Sequence, residues 1–212
     1  ANTSAHTSLG DIVKPMNYFA HLFLAQPNAE SCFGNLLGDF RKNVDVNALP
    51  EAVQKGIENH YLVDRYTDAH PLTISSKQLF SKQRRRFAGI AIDVLYDHFL
   101  IKHWTSYSTQ PLDNFKQDVF NHLLSQQQYM PERMQKTVSH MVKHDWFAQY
   151  ESLTGIERAL DNIAKRIRFK NGFHGCMQEI DFHLSTIEER FLVFFPELIS
   201  HVKDTAIEHH SQ

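Results

Sequence analysis

From Tyr18 onward the apolar residues recur at helical spacing, and no strand-like alternation persists anywhere. The run from Tyr18 to Ala25 is apolar but far shorter than the ~20 residues a membrane span needs. No small-residue cleavage site follows it, so it reads as a buried segment rather than a signal peptide. Helices are expected over about 29–41, from Pro50 to just before Pro71, over 84–104, 112–129, 131–150 and 154–169, and from 176 to about 208. A polar link covers 105–110, and Asn171, Gly172 and Gly175 mark another break. The last helix carries Ile180, Leu184, Ile187, Phe191, Phe194 and Leu198 along one stripe. The pattern predicts an all-α, single-domain helical bundle over 16–212. Residues 1–15 are polar and aperiodic and are expected to be a tail or leader, with Met16 as the natural start.

Two of these helices place charge where a core should be. At 100° per residue, Val53 and Ile57 define the stripe of the helix after Pro50. His60, Asp64 and Asp68 continue it, all within about 60° of Val53. In the next long helix, Asp93 and Asp97 fall inside an arc made by Ile90, Val94, Leu100, Ile101 and Trp104, with His98 at its edge. Unpaired buried carboxylates cost roughly several kcal/mol each, and two on one face repel each other. A divalent cation would resolve both problems; arginine partners or helix caps are the structural alternative. His21, in the N-terminal apolar segment, and Asp39, in Gly34-Asn-Leu-Leu-Gly-Asp-Phe40, extend the set.

Composition narrows the chemistry. The chain has 212 residues, 14 histidines and only two cysteines, Cys32 and Cys176. Disulfide frameworks and thiolate zinc sites are therefore excluded, and the cytoplasm is the default compartment. Imidazole with carboxylate suits Mn, Fe, Mg or Zn in a hydrolytic site. The chain lacks any Glu-x-x-His, which counts against a ferritin-like di-iron bundle. The formal net charge is −2, but the sign is segregated. Lys77, Lys82, Arg84, Arg85 and Arg86 lie in a stretch without acids, as do Lys165, Arg166, Arg168 and Lys170. Such runs suit an acidic protein partner, the alternative being a solvated basic face; no nucleic-acid signature accompanies them.

The segments Met16-Asn-Tyr-Phe-Ala-His-Leu-Phe-Leu-Ala25, Gly34-Asn-Leu-Leu-Gly-Asp-Phe40, Gly56-Ile-Glu-Asn-His60, Arg65-Tyr-Thr-Asp68, Asp93-Val-Leu-Tyr-Asp-His-Phe-Leu100 and Phe191-Leu-Val-Phe-Phe-Pro196 together resemble the bacterial acyl carrier protein phosphodiesterases. The resemblance runs from Met16 to about His201. It implies a divergent branch of the HD-type metal-dependent phosphohydrolases, a manganese preference, and removal of 4′-phosphopantetheine from holo-acyl carrier protein. The matched positions are His21, Asp39, His60, Asp64, Asp68, Asp93, Asp97 and His98. His21, Asp39, His60, Asp64, Asp93 and Asp97 are the candidate ligands. Asp64, Asp68 or Asp97 would position water, His60 or His98 would be the general acid, and Asp39 belongs to both sets. Arg84, Arg85, Arg86, Lys165, Arg166 and Arg168 are the candidate partner surface. The HD superfamily's adjacent His-Asp pair occurs here only as His144-Asp145, outside the matched segments, and is expected to be a surface or packing pair. The remaining alternatives are an HD-like phosphohydrolase for a nucleotide or other small phosphate ester, and a non-enzymatic helical metal-binding protein.

Overall fold

The computed structural model describes residues 17–167 and 172–208; the expected tail 1–15, together with Arg168 and Lys170, lies outside them. Among the described residues eleven α-helices follow in order: α1 Tyr18–Phe23, α2 Ala29–Leu37, α3 Glu51–Ala69, α4 Pro71–Lys77, α5 Ala88–Lys102, α6 Trp104–Tyr107, α7 Leu112–Ser125, α8 Glu132–Lys143, α9 Trp146–Gln149, α10 Leu153–Arg166 and α11 Met177–Thr205. Among the described residues there is no strand, so the chain is all-α, as its periodicity predicts.

Local chemistry sets the boundaries. Asn28 caps α2 by accepting the Ser31 N–H at 2.9 Å, and Ser152 caps α10 at Gly155. Pro71 acts on both sides. It holds His70 extended, which ends α3, and it opens α4 from the first helical position, where a missing N–H costs nothing. Helix α4 and the single turn of α6 were not expected. They are short elements in stretches whose propensity is weak, held by packing. The helix expected over 131–150 is two helices. Asp145 takes a left-handed conformation, φ 39°, and caps α9 at Ala148, while its other oxygen meets the buried Lys116 at 2.9 Å. The sole His-Asp pair is thus a structural hinge and ion partner.

Helix α5 runs through the centre. Ala88, Ala91, Ile92, Val94, Leu95, Phe99 and Leu100 are inaccessible, each large side chain contributing about 1.5–3 kcal/mol by burial. The stripe Ile180, Ile187, Phe191, Phe194, Leu198 of α11 packs inward, with Phe191 against Tyr96 and Phe99. Helices α2 and α3 approach unusually closely, because a Cβ on Gly34 would fall 2.3 Å from the Val53 carbonyl oxygen and 2.9 Å from Gly56 Cα. That glycine pair brings the backbone of Asn35 onto the His60 side chain.

No helix of the described residues is long and apolar enough to cross a membrane.

Candidate metal centre

His21 from α1, and His60 and Asp64 one turn apart on α3, converge. One ligand atom from each lies within 4.8 Å of the others. Asp64 sits between the two imidazoles, its Oδ1 3.1 Å from His21 Nε2 and its Oδ2 3.2 Å from His60 Nε2. The rings stack with centroids 4.0 Å apart. Asp39, in the short 3₁₀ turn Gly38–Phe40 that follows α2, places Oδ1 3.7 Å from His60 Nε2. His21 and His60 are 1 % and 2 % exposed, whereas the Asp64 side chain keeps 36 % of its surface open.

The hydrogen bonds of His60 leave its Nε2 to a proton or a metal ion. Its Nδ1 lies 2.8 Å from the carbonyl oxygen of Asn35, which can only accept, so Nδ1 carries the proton. In a neutral ring Nε2 then offers a lone pair, and it faces the carboxylates of Asp64 and Asp39. Lone pairs opposed at these distances repel unless a proton or a metal ion lies between them. Burial opposes protonation of His60, but the Asp64 hydrogen bond and the charges of Asp64 and Asp39 raise its pKa overall. Burial, with the charge of His60 beside it, lowers that of His21. Burial would raise the Asp64 carboxyl, yet hydrogen bonds from His21 and His60 hold it well below the usual carboxylate range. Protons satisfy Asp64 if His60 is an imidazolium and His21 a neutral ring donating from Nε2; a divalent ion held by the two imidazoles and the carboxylate would take their place. The buried His21 Nδ1 has no hydrogen-bond partner among the described residues. The donor set fits such an ion.

Two features position these ligands. Gly38 lies against the His60 ring: a Cβ there would be 2.2 Å from Cδ2. Asn35, whose carbonyl orients His60, is held through its side chain. Its amide donates to Glu208 at 3.1 Å and its oxygen accepts from Asn59 at 2.9 Å, while Ser31 donates to the other Glu208 oxygen at 2.5 Å. Asn35, Gly38 and Glu208 were not anticipated as supporting residues. The signal for two of them is the glycine pattern of Gly34-Asn-Leu-Leu-Gly38, which marks close backbone approach.

The other expected residues lie elsewhere. Asp97 is fully inaccessible, and its oxygens accept the N–H groups of Phe19 at 3.0 Å and Ala20 at 2.8 Å. It caps α1, and so fixes the helix that carries His21. Asp93 retains some solvent contact beside the centre. Desolvation, followed by the charge of Asp64, raises its carboxyl well above the ordinary range, with Asp68 and Asp97 adding and Lys77 opposing. Asp68, expected on the buried stripe, is exposed, because the last turn of α3 reaches the surface; it pairs with Lys77 at 2.7 Å. His98 points to α9, with Nδ1 2.7 Å from the Tyr150 carbonyl oxygen.

The expected basic surface divides in the same way. Arg84 is half-buried, donating to the carbonyls of Gly172 and His174 and pairing with Glu179 at 3.1 Å. Arg85 donates to the carbonyls of Gln78 and Phe80 at the end of α4. Arg86 is exposed, over the Phe87 ring. Lys165 and Arg166 are exposed at the C-terminus of α10.

A family model described as acyl carrier protein phosphodiesterase matches residues 16–198. Proteins of that name from Enterobacter sp. (strain 638) and Photorhabdus laumondii are each 32 % identical, over 89 % and 87 % of this chain and 98 % and 93 % of their own. One from Escherichia coli O6:H1 is 29 % identical over 91 % of this chain and all of its own. No solved structure matches. The match spans both helices that carry the cluster, α1 with His21 and α3 with His60 and Asp64, and the chain belongs to the acyl carrier protein phosphodiesterase family.

Proposed function

We propose that this protein is a metal-dependent phosphodiesterase that hydrolyses the phosphodiester of holo-acyl carrier protein, releasing 4′-phosphopantetheine and the apo protein in the cytoplasm. Family membership supports the reaction class. The observation that carries the metal is the Nε2 of His60, aimed at two carboxylates while its Nδ1 is committed to Asn35. His21, His60 and Asp64 would hold the ion, with Asp39 completing the set. Manganese suits this nitrogen–oxygen donor set, as would Mg²⁺, Fe²⁺ or Zn²⁺. When bound, such an ion neutralises phosphoryl charge and acidifies water.

The chain's own residues supply the rest. Asn35 fixes the His60 tautomer and orientation, as an outer partner of a ligating histidine does. Asp97 holds α1 in place for His21. Asp93 borders the centre with an elevated proton affinity and positions the attacking water, accepting its proton. The water oxygen bonds to phosphorus, the bond from phosphorus to the serine oxygen breaks, and the serine oxygen leaves as a hydroxyl, taking the proton that Asp93 accepted from the water. His98 is committed to Tyr150 and takes no part. The reading places this branch near the HD-type phosphohydrolases by chemistry, with Asp64 and His60 one helical turn apart in place of an adjacent His-Asp pair.

The test is incubation of the Mn²⁺-loaded protein with holo-acyl carrier protein, followed by mass spectrometry. Loss of the phosphopantetheinyl mass is expected. Hydrolysis of nucleotides with none of the carrier protein would transfer the site to a different phosphohydrolase class.

A further inference from the structure

The arginine run 84–86 is partly drawn into the fold. Two of that trio are committed to backbone carbonyls and Glu179. Two other arginines, on different helices, are exposed. Arg133 on α8 places its guanidinium carbon 5.7 Å from the centre of the Phe40 ring, and Phe40 is the neighbour of Asp39 in sequence. Phe40 in turn packs on Tyr18, with centroids 6.1 Å apart, one turn before His21 on α1. Arg166, at the end of α10, lies at the edge of a hollow whose walls include Trp146, Gln149, Tyr150, Asn162 and Ile163. The two sides meet at Tyr18. Burial raises its hydroxyl, Asp39 and Tyr150 add to the rise, and the charges of Arg133 and Arg166 oppose it. Among the described residues, neither guanidinium forms a hydrogen bond or an ion pair.

The hollow has a mixed character. Trp146, Tyr150 and Ile163 give it aromatic and aliphatic walls, while Asn162 and Gln149 offer amides that both donate and accept. A flexible, uncharged chain containing amides fits such walls. A phosphate at one end of that chain would meet Arg166, and Arg133 beyond it, with the bidentate geometry that guanidinium offers a phosphate.

We propose that Arg133 and Arg166 bind the phosphodiester end of the substrate and that the hollow between α8, α9 and α10 seats its amide-containing pantetheine arm. This rests on the proposed reaction and adds to it a recognition site. It also implies that the carrier protein lies over the α8–α10 side of the molecule, with its acidic surface toward these arginines.

The experiment is steady-state kinetics of the Mn²⁺-loaded full chain on holo-acyl carrier protein. The variants are Arg133→Gln, Arg166→Gln and Asn162→Trp, with Lys55→Gln on the outer face of α3 as control. Each arginine variant should raise KM about tenfold or more, the scale of one charge-assisted hydrogen bond, with a smaller change in kcat. Free pantetheine, which lacks the phosphate, should inhibit the wild type competitively. Asn162→Trp, which fills the hollow from an exposed position, should raise KM and abolish that inhibition. Circular dichroism and a retained Mn²⁺-dependent rise in Tm would establish that each variant is folded with its centre intact. Folded variants with wild-type KM would overturn the recognition site while leaving the reaction standing. A normal Asn162→Trp that pantetheine still inhibits would overturn the seat for the arm. A wild-type protein that leaves holo-carrier protein untouched would overturn the reaction itself, and the recognition site with it.

Discussion

The carbonyl oxygen of Asn35 stands 2.8 Å from Nδ1 of His60, and this bond decides what the other ring nitrogen can do. It commits the proton to Nδ1 and leaves Nε2 facing Asp64 and Asp39, where a proton or a cation would lie between them. The bond exists because Gly34 and Gly56 let α2 and α3 touch, and because Gly38 leaves room for the ring.

Gly38→Ala tests that space. The added Cβ would overlap the imidazole of His60, a buried ring held on its other side by Asn35. The expected cost is about 1–3 kcal/mol of stability, with loss of most turnover. Thermal unfolding and carrier-protein hydrolysis measure both; a fully active variant would show that the ring has freedom the structure denies it.

Asp97→Ala should be a folding defect. It leaves the N–H groups of Phe19 and Ala20 buried without acceptors, at about 1–3 kcal/mol each. Asp93→Ala should keep its Tm within a degree or two and lose activity, because Asp93 retains solvent contact and bonds no backbone group among the described residues. Melting curves of the two variants side by side distinguish a cap from a site residue. Equal stability would refute the assignment.

Mn²⁺ should raise Tm in the wild type, since an ion that binds only the folded centre stabilises it by mass action. Asp64→Asn should remove most of the shift, because Asp64 meets both histidines. A shift preserved in Asp64→Asn would place the ion elsewhere.

Glu208 reaches back from the end of the chain to hold Ser31 and Asn35. Glu208→Ala should lower stability by about 1–2 kcal/mol and reduce kcat by loosening Asn35 behind His60. Glu208→Gln, which keeps one acceptor, should recover part of each. If kcat is untouched while stability falls, Glu208 is a structural strap and does not position His60.

Glu179 provides an acid-stability signature away from the centre. Burial would raise its carboxyl, but the Ser81 N–H and hydroxyl and the Arg84 guanidinium lower it. A carboxyl lowered by folding contributes stability that is complete above its unfolded pKa and is lost as pH falls through the folded value. The Tm of Glu179→Gln should therefore lie below wild type at neutral pH, and the gap should close in acid. A constant gap would mean that the contribution of Glu179 does not depend on its charge.

The helical class, the inward stripe of α11 and the burial of α5 were legible in the chain, because each depends on a local 3.6-residue period. So was the convergence of charge on α3, since His60 and Asp64 share a face by spacing alone. What periodicity could not supply is the direction each buried carboxylate turns. Asp93 and Asp97 are equivalent in the helical projection, yet one borders the centre and the other caps α1, because α1 approaches α5 through contacts 77 and 78 residues apart in sequence. Asp68 continues the stripe of α3 in projection but lies on its surface-exposed last turn. The run Arg84-Arg85-Arg86 reads as a surface from composition, but Arg84 and Arg85 donate to backbone carbonyls that a helical wheel does not contain. Side-chain spacing along one helix is a property of the sequence; which groups meet across helices is a property of packing, and the candidate centre needs both, His60 and Asp64 from one helix and His21 from another.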